Sequence, residues 1–546
     1  MTGSVAQDGG EDSVRRRIGV YSGPSGPAVN GLLNALERAL AVRFEQVTRS
    51  PVHELDGALV LDPARLEEAP TEIPRLVLAC GAGERESAGT VALAGDLELP
   101  RPLRGRVIPE DDSAVEIPFT RPNLSRILAA RGRRAVWWES SQGPVWIAMS
   151  AYPIPELGEG ESLRDHLRAG RFMGLLPVLC FLWRLCSAQG WTPPPLRACF
   201  VVDDPNLHWR SYGFISYDEL AVHASEHGYH VALATVPLDG WLVNRHAASL
   251  FKDHQSELSL LMHGNDHVAR ELGRLGTDRE AEAAIGQALG RVAQLERRAE
   301  VRVDRVMAPP HGACSEAALR AMFRLGMEAA CISRPFPWRD GLPAPTPLAG
   351  WHPAELVAGG LPVLSRHSIL GARDDLAFRA VLGQPLILYG HHKDMADGLD
   401  VLSQAAQEID ALGDVEWSCI GQIARRNYAT RRVGETLLLR LHARHVKVAI
   451  PDGVRAVRVI VDEPFGGFGC HRVVHPGGVV DMTFQDGLGT SGLLPVQPGT
   501  EIELTLAADQ ALEAEELRSG SVRPWPLTRR ILVEGRDRME PLLRRG

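Results

Sequence analysis

The sequence lacks several features that mark specialised classes of protein. Its formal net charge is -9, and no block of basic residues offsets this excess, so we do not expect a nucleic-acid partner. Residues 1–15 contain no apolar core of the kind found in signal peptides. The longest apolar stretch, residues 172–186, includes a proline and an arginine and is shorter than the ~20 residues that cross a bilayer. We therefore predict a buried helix there and no membrane span.

Paired cysteines and nucleotide-binding fingerprints are also absent. The eight cysteines include no CxxC pair, and several lie in apolar runs such as RLVLAC and RACFVV, where a free thiol acts as a small hydrophobic group. This usage favours a reducing, cytoplasmic location. The glycines near residues 23–26 and 81–83 form neither a Rossmann nor a P-loop fingerprint, so we assign no nucleotide. We detect no internal repeat, and the sequence does not predict the oligomeric state.

The length of 546 residues predicts several domains rather than one core, and the composition, 45% hydrophobic and 23% charged, is typical of globular proteins. Changes in the predicted secondary structure and composition along the chain indicate where the domains begin and end. We predict disorder over residues 1–15, an N-terminal α/β domain over 16–157, a helical connector over 158–195, a strand–helix domain over 196–428, a β-sandwich over 429–509 and a C-terminal tail over 510–546.

The strand–helix domain repeats one pattern several times. Short apolar runs that predict strands alternate with helical segments such as YDELAVHASEH and REAEAAIGQALGRVAQLERRA. Parallel strands joined by helices form either a doubly wound sheet or a barrel. The predicted strands are ACFVVDD, YHVALATV, LSLLMHG, RVMAPP, EAACIS and PLILYGHH.

Polar side chains follow four of these strands at the point where each strand ends. Because ligands bind at the carboxyl ends of the strands in such proteins, we expect these groups to meet at one edge. They are Asp203 and Asp204 after the first strand, His263 and His267 after the third, the PPHG segment 309–312 after the fourth, and His391, His392 and Asp394 after the last.

The two histidines of HGNDH favour a metal site. They leave a strand end through a glycine, and a helical turn would place both imidazoles on one side. One aspartate would complete a site of two histidines and one carboxylate that keeps positions open for water and substrate, as catalytic zinc requires. Adjacent strand residues point in opposite directions, so we expect one aspartate to be a ligand and the other a base unless the strand bends. His223 and His227 have the same spacing, and we interpret them as a helix surface.

The ordered set FVVDD, HGNDH, PPHG and LILYGHH resembles the polysaccharide deacetylase family, or NodB-homology domain, over about residues 197–425. This resemblance implies an α/β fold built on a distorted, usually seven-stranded (β/α) barrel of the polysaccharide deacetylase type. It also implies a divalent metal, for which we favour Zn2+, and removal of N- or O-acyl groups from sugars.

The resemblance implies roles for particular residues. Asp203 would be the general base, and His391 the general acid, with His392 as the alternative. The metal ligands would be Asp204, His263 and His267. Substrate would lie against Asn206, His208, Trp209, Pro310, His311, Gly312 and His392, with a backbone N–H near residues 310–312 facing the oxyanion.

Three positions depart from the family pattern. Ala308 stands where the family has an arginine that pairs with the base, so either the base is tuned differently or another arginine takes that place. His311 stands at the family's aromatic position, where it binds substrate or metal or only shapes the loop. Trp338 and Asp340 are the nearest candidates for the family's Asp-and-Trp motif.

We expect a metal-dependent hydrolase that removes an acyl group, most simply acetyl, from an amino sugar or glycoconjugate. The partner would be a small-molecule or glycan substrate. Two alternatives remain open at this point: a C–N hydrolase that acts on a non-sugar amide, and a non-catalytic sugar-binding or scaffold protein with an inactive barrel.

Overall fold

The chain divides into two compact units, residues 1–191 with 345–351 and residues 192–344 with 352–546. No helix of the described segments is both long enough and apolar enough to cross a membrane. The structure is a computed structural model that describes residues 15–23, 29–40, 42–48, 54–79, 89–112, 114, 121–142, 145–157, 162–187, 190–333, 350–371, 373–464, 472–485, 487–508, 511–514, 517 and 524–544.

The first unit is built on a mixed nine-stranded sheet. Its strands run in the order β2-β1-β3-β4-β9-β8-β7-β5-β6, parallel from β2 to β9 and antiparallel beyond. The helix predicted within residues 172–186 forms as α3, and its apolar side chains are buried. The elements are β1 (Arg16–Tyr21), α1 (Asn30–Ala39), β2 (Val42–Gln46), β3 (Gly57–Val60), β4 (Arg75–Leu78), β5 (Gly89–Leu93), β6 (Val107–Glu110), β7 (Arg126–Arg131), β8 (Arg134–Gln142), β9 (Val145–Ser150), α2 (Leu163–Arg168) and α3 (Leu176–Ser187).

The second unit contains a closed barrel of seven parallel strands. Going round the barrel, the order is β10-β13-β14-β15-β16-β18-β19, and β19 pairs with β10 to close it. The elements are β10 (Leu196–Asp203), β11 (Ser211–Tyr212), β12 (Ile215–Ser216), α4 (Tyr217–His227), β13 (Val231–Thr235), α5 (Arg245–Asp253), β14 (Leu258–Met262), α6 (Asp278–Ala299), β15 (Val303–Met307), α7 (Glu316–Arg324), β16 (Ala329–Ile332), β17 (Glu355–Val357), β18 (Leu361–Ser368), α8 (Leu376–Val381), β19 (Leu386–His391), α9 (Asp400–Asp410), β20 (Val415–Trp417) and α10 (Ile420–Arg425).

The six strands predicted from the sequence all belong to this barrel, so the choice between an open sheet and a barrel is settled in favour of the barrel. The seventh strand, β18, was not predicted. Its sequence LPVLSRHS places a proline near the start and four polar residues at the end, so neither an apolar run nor strict alternation marks it.

Alanine, cysteine and branched aliphatic side chains fill the barrel interior. Helix α10 packs into the same cluster from the end where the strands begin, since Gly421 N–H donates to Asp304 on β15 and Ser418 N–H donates to the Ala198 carbonyl of β10. A filled interior leaves the opposite end, where the strands stop, as the place for ligands. The buried cluster comprises Cys199, Val201, Ala232, Ala234, Leu261, Val306, Ala308, Ala329, Cys331, Ala354, Leu364, Ile387, Ile420, Ile423 and Ala424.

The β-rich region after residue 428 corrects the predicted β-sandwich over 429–509. Its strands form one continuous nine-stranded sheet, because β26 pairs with β25 on one side and β27 on the other and so joins the two halves. The end strands approach each other where the Tyr428 hydroxyl donates to the Lys447 carbonyl at 3.4 Å, so the sheet is close to a barrel. The strands are β21 (Tyr428–Val433), β22 (Thr436–Leu441), β23 (His445–Ala449), β24 (Ala456–Asp462), β25 (Arg472–His475), β26 (Gly478–Gln485), β27 (Leu488–Ser491), β28 (Leu494–Pro495) and β29 (Glu501–Ala507).

A long helix, α11 (Pro524–Arg544), follows the sheet within the region predicted as a tail. It packs on the carboxyl edge of the barrel, the end at which β10, β14 and β19 stop. Cys180, Cys199, Cys314, Cys331 and Cys419 carry free thiols.

The packing of the barrel core predicts that alanine substitutions at two leucines differ in their effect on the stability of the protein. Leu364 on β18 is fully buried, and Leu364→Ala should lower the free energy of unfolding by about 2–5 kcal/mol, because it removes buried apolar surface and leaves a cavity. Leu370, which is 64% exposed, supplies the matched control Leu370→Ala. Denaturant unfolding of both variants measures the difference, and equal midpoints would contradict the barrel interior described here.

Candidate metal centre and active site

A backbone bend brings Asp203 and Asp204 to one place. Asp203 ends β10, and Asp204 follows with φ of 83°, in the left-handed region. One imidazole then lies within reach of both carboxylates: His263 Nδ1 is 3.9 Å from Asp203 Oδ1, and His263 Nε2 is 3.8 Å from Asp204 Oδ1. The conformation costs on the order of 1–3 kcal/mol in a non-glycine residue. It allows adjacent aspartates to serve the same site despite the alternation of a regular strand.

Arg366 on β18 holds Asp203. Its Nη1 donates to Asp203 Oδ1 at 2.6 Å, and both side chains are buried. Its guanidinium also lies 4.5 Å from the ring centroid of Tyr389 on β19. Burial alone would raise the pKa of Asp203, but the charge of Arg366 outweighs it and holds that pKa below its usual value. Asp203 is therefore an ionised carboxylate at neutral pH, and its arginine partner comes from β18 and not from position 308.

The HGNDH loop is clamped from two sides. Glu271 accepts hydrogen bonds from the backbone N–H groups of Asn265 and Asp266, at 2.6 and 3.0 Å. Arg291 donates to the Asn265 and Asp266 side chains, each at 2.6 Å. Gly264 has φ of 67°, and a Cβ there would lie 2.0 Å from Glu271 Oε1, so the close approach requires glycine. These contacts fix the directions of the two histidines.

His263 is presented as a neutral ligand. Its Nδ1 donates to the Ala308 carbonyl at 2.8 Å, which leaves the lone pair of Nε2 pointing toward Asp204. A hydrogen bond from the second ring nitrogen to a carbonyl is the usual way in which proteins orient a metal-ligating histidine. Burial lowers the pKa of His263 to about 4, so the ring is uncharged at neutral pH.

Asp204, His263 and His267 form a compact donor set. One ligand atom from each lies within 4.8 Å of the others, and His267 Nε2 is 3.0 Å from Asp204 Oδ1. That Asp204 oxygen is buried and has no hydrogen-bond partner of good geometry among the described residues. Burial opposes ionisation, but the contacts with His267 and His263 hold the pKa of Asp204 well below its usual range. Two imidazole nitrogens and a carboxylate oxygen fit a divalent metal such as Zn2+.

The segment 309–312 reaches the same edge. His311 has φ of 59°, and its ring centroid is 6.0 Å from that of His267. Gly312 N–H donates to the Pro309 carbonyl at 3.0 Å, and Pro310 has no N–H. Among residues 310–312, His311 alone therefore retains a backbone N–H that can face a ligand.

The two adjacent histidines of β19 lie in different environments. His391 pairs in register with Asp203 across the sheet, and its ring is exposed. His392 is buried, with its ring stacked on Phe214 at 5.7 Å and its Nε2 3.7 Å from Asp537 on α11. His391 is thus the one beside the predicted base.

The predicted sugar-lining residues are also divided between interior and surface. Asn206 and His208 are buried, and His208 bridges Glu534 on α11 at 2.8 Å and the Asp239 carbonyl at 2.9 Å. Trp209 is 56% exposed, with the Arg538 guanidinium 5.7 Å from its ring centroid. Trp209 is therefore the one of these three that presents an open aromatic face.

Helix α11 adds charged residues to the edge that no sequence motif indicated. Arg530 is buried, contacts the Asp239 carboxylate through Nε at 3.1 Å, and places Nη1 3.5 Å from Asp204 Oδ1. Asp537 accepts from the Tyr212 hydroxyl at 2.9 Å. Arg529 donates to the His267 carbonyl.

The helix reverses the usual amphipathic arrangement. Its two fully buried charged residues, Arg530 and Asp537, contact the barrel edge, whereas most of its large apolar side chains are exposed. Sequence periodicity assumes that apolar residues mark the packed face, so this contact was not predictable in that way. The outward apolar side chains are Trp525, Ile531, Leu532, Met539, Leu542 and Leu543.

Backbone strain is concentrated at this edge. Of the six non-glycine residues with positive φ in the described part of the chain, Asp204, His267 and His311 all belong to the site. Such strain gathers where function requires an exact side-chain direction. The other predicted motif, Trp338 with Asp340, lies outside the described residues.

Comparisons with known proteins give structural likenesses only. No protein-family model matches the chain, and no curated protein matches its sequence. The carbohydrate deacetylase Agd3 is 10% identical, with 91% of this chain and 99% of that chain covered and a TM-score of 0.46. A family 4 carbohydrate esterase from Streptomyces lividans, in complex with acetate, is 14% identical, with 42% and 93% covered and a TM-score of 0.26. A polysaccharide deacetylase from Bacillus cereus is 12% identical, with 41% and 91% covered and a TM-score of 0.23.

The chain is thus structurally similar to polysaccharide deacetylases, as its motifs predict. Identities of 10–14% and TM-scores below 0.5 transfer no activity, substrate or cofactor to it. What the chain does is inferred from its own side chains.

The donor set predicts that metal binding at the barrel edge requires His263 and His267. The double variant His263→Ala/His267→Ala should lose one equivalent of divalent metal per chain, because two of three donors are removed. Elemental analysis of the purified protein measures this loss. His223→Ala/His227→Ala is the matched control, since these two histidines lie four residues apart on α4 with ring centroids at 4.3 Å. Equal metal contents in the two double variants would disprove the site.

Proposed function

We propose that the protein is a metal-dependent hydrolase that removes an acyl group, in the simplest case acetyl, from an amino sugar or glycoconjugate. One observation carries this proposal: Asp203 is kept ionised by buried Arg366 directly beside the donor set of Asp204, His263 and His267. A base without a ligand set, or a ligand set without a base, would support binding rather than hydrolysis. The adjacency of the two is typical of metal-assisted hydrolysis.

Asp204, His263 and His267 would hold the cation. A divalent cation bound there would polarise the acyl carbonyl and lower the pKa of a water molecule toward ~7. Three protein ligands leave room for water and substrate, which a closed structural site would not.

Asp203 acts as the general base in this scheme. Arg366 occupies its Oδ1, so the other carboxylate oxygen, Oδ2, takes the proton of the attacking water. The water oxygen bonds to the carbonyl carbon as that proton leaves. The arginine prevents the buried carboxylate from becoming protonated beforehand, which would abolish its basicity.

His391 acts as the general acid. It pairs in register with Asp203 and is exposed, so a leaving group at this edge can reach it. When the C–N bond breaks, His391 gives its proton to the departing amine, and the products are a free amine and a carboxylic acid. The His311 backbone N–H donates to the oxyanion.

The sugar part of the proposal is supported by Trp209. Its ring is 56% exposed, a few residues beyond the catalytic aspartates, and flat aromatic faces suit the apolar faces of sugar rings. A non-sugar amide remains the rival substrate. The complete ligand set and the retained base favour an enzyme over an inactive scaffold barrel.

Asp203→Asn is the most direct test of the chemistry. Acetate release from N-acetyl sugars should fall by about 10²–10⁴-fold, because the isosteric amide cannot accept the proton. Metal content should stay unchanged, since Asp203 is not a ligand. Asp397→Asn, at an exposed position beyond β19, is the control that should retain full activity.

Each outcome of this test separates the candidates. Full activity in Asp203→Asn would refute the assigned base. Hydrolysis confined to acyl amides without a sugar would favour the rival substrate, and a metal-free protein that releases no acetate would favour the scaffold.

Arg366 should control the pH dependence of hydrolysis. Its charge lowers the pKa of Asp203, so Arg366→Met should raise that pKa and move the acid limb of the kcat/KM profile to higher pH. Arg366→Lys keeps the charge and should move the limb less. The base is active above its pKa, so both variants should recover activity as the pH rises through the shifted acid limb. An acid limb that stays at the same pH in both folded variants would refute the pairing.

A further inference from the structure

A second set of metal-type donors lies in the nine-stranded C-terminal sheet, away from the carboxyl edge of the barrel. Strands β22 and β24 are parallel and pair Leu441 with Val461. His442 follows directly after the last residue of β22, and Asp462 follows Val461 at the end of β24, so the pairing of Leu441 with Val461 brings the two residues close together. His352, from the segment just before β17, completes the group. Three distant parts of the sequence therefore converge on one point inside this unit.

The geometry of the group is that of a cation site. One donor atom from each residue lies within 4.8 Å of the others. His352 Nδ1 is 3.6 Å and His442 Nδ1 is 3.9 Å from the same oxygen, Asp462 Oδ2, and the two rings are 5.3 Å apart. These separations are too long for hydrogen bonds but match donors arranged around a common centre.

Burial makes the long separations costly unless something lies between the donors. The three side chains are only 3–7% exposed. His352 Nδ1 and Asp462 Oδ2 are buried without a hydrogen-bond partner among the described residues. An unsatisfied buried polar atom destabilises the folded state, and two of them face each other here. A shared cation would satisfy both at once.

Neighbouring residues prepare the donors. Arg440 donates to Asp462 Oδ1 at 2.7 Å, which fixes that carboxylate and leaves Oδ2 directed at the imidazoles. Buried Glu355 has its Oε2 3.9 Å from His352 Nε2, the ring nitrogen on the far side from Asp462. A carboxylate behind a ligating histidine is a common outer-shell arrangement. Glu355 and Asp462 together offset the charge of Arg440.

We propose that His352, His442 and Asp462 form a second site for a divalent cation of the Zn2+ type, distinct from the donor set at the barrel edge. Its role is structural, because all three donors are buried and a substrate therefore cannot reach the coordination position that three ligands leave open. It ties β22 and β24 of the C-terminal sheet to the segment that precedes β17. The proposal does not depend on the hydrolase activity.

The test uses the full chain with the barrel site removed. His263→Ala/His267→Ala protein, purified from zinc-supplemented culture and dialysed, should retain one equivalent of Zn2+ by elemental analysis. Adding His352→Gln or His442→Gln should remove that equivalent. The matched control is His230→Gln, which replaces another buried histidine, one hydrogen-bonded to Ser256 and Ser259, and it should keep the metal.

A thermal measurement supplies a second readout that needs no change at the proposed site. A strong chelator should lower the Tm of the His263→Ala/His267→Ala protein, and added Zn2+ should restore it, because a ligand that binds only the folded state stabilises it. Absence of retained metal together with a Tm insensitive to Zn2+ would overturn the proposal. So would an equivalent that survives both His352→Gln and His442→Gln, since the cation would then lie elsewhere.

Discussion

The buried ion pair between Arg366 and Asp203 is the constraint on which the candidate site depends. A carboxylate inside a barrel would ordinarily take up a proton, and an arginine there would be unpaired; each is tolerable only because of the other. The pair places an ionised acceptor beside His263, whose Nδ1 lies 3.9 Å from Asp203. The bend at Asp204 then brings the neighbouring carboxylate to the other ring nitrogen. The proposed base, Asp203, and the proposed ligand, Asp204, thus lie 3.9 and 3.8 Å from the two nitrogens of one imidazole, that of His263.

The sequence indicated the donor residues of the candidate site but not the residues that hold them in position, such as Arg366. Aspartates and histidines at strand ends are visible because each follows an apolar run, and βα topology brings strand ends together whatever the exact packing. Arg366 lies in β18, a strand that the sequence did not predict because it contains a proline and four polar residues. Only the pairing of strands around the barrel brings Arg366 close to Asp203. The strands of the C-terminal sheet were predicted, but their arrangement in a single sheet was not. The local hydrophobic pattern of a strand indicates that the strand exists but not which other strand it pairs with.

The two donor sets illustrate different uses of the same residue types. At the barrel edge, Asp204 and the two histidines lie on strained or clamped backbone, next to a base and an open tryptophan face. In the C-terminal sheet, Asp462 ends β24, His442 follows β22 directly, and both side chains are buried. Positive φ is found at the proposed catalytic site, whereas His442 and Asp462 at the proposed structural site do not have positive φ.

Helix α11 has a consequence for how the barrel edge would acquire the proposed cation during synthesis. It follows both the barrel and the C-terminal sheet in the chain, so the ribosome releases it after the strands that carry the donors. For that interval the imidazoles of His263 and His267 are open to ions in the surrounding solution. Once Arg530 has docked against Asp239 and Asp204, a guanidinium stands beside the ligands. A cation that arrives before α11 has docked would find the donor set uncovered. A cation that arrives afterwards would have to pass the guanidinium of Arg530.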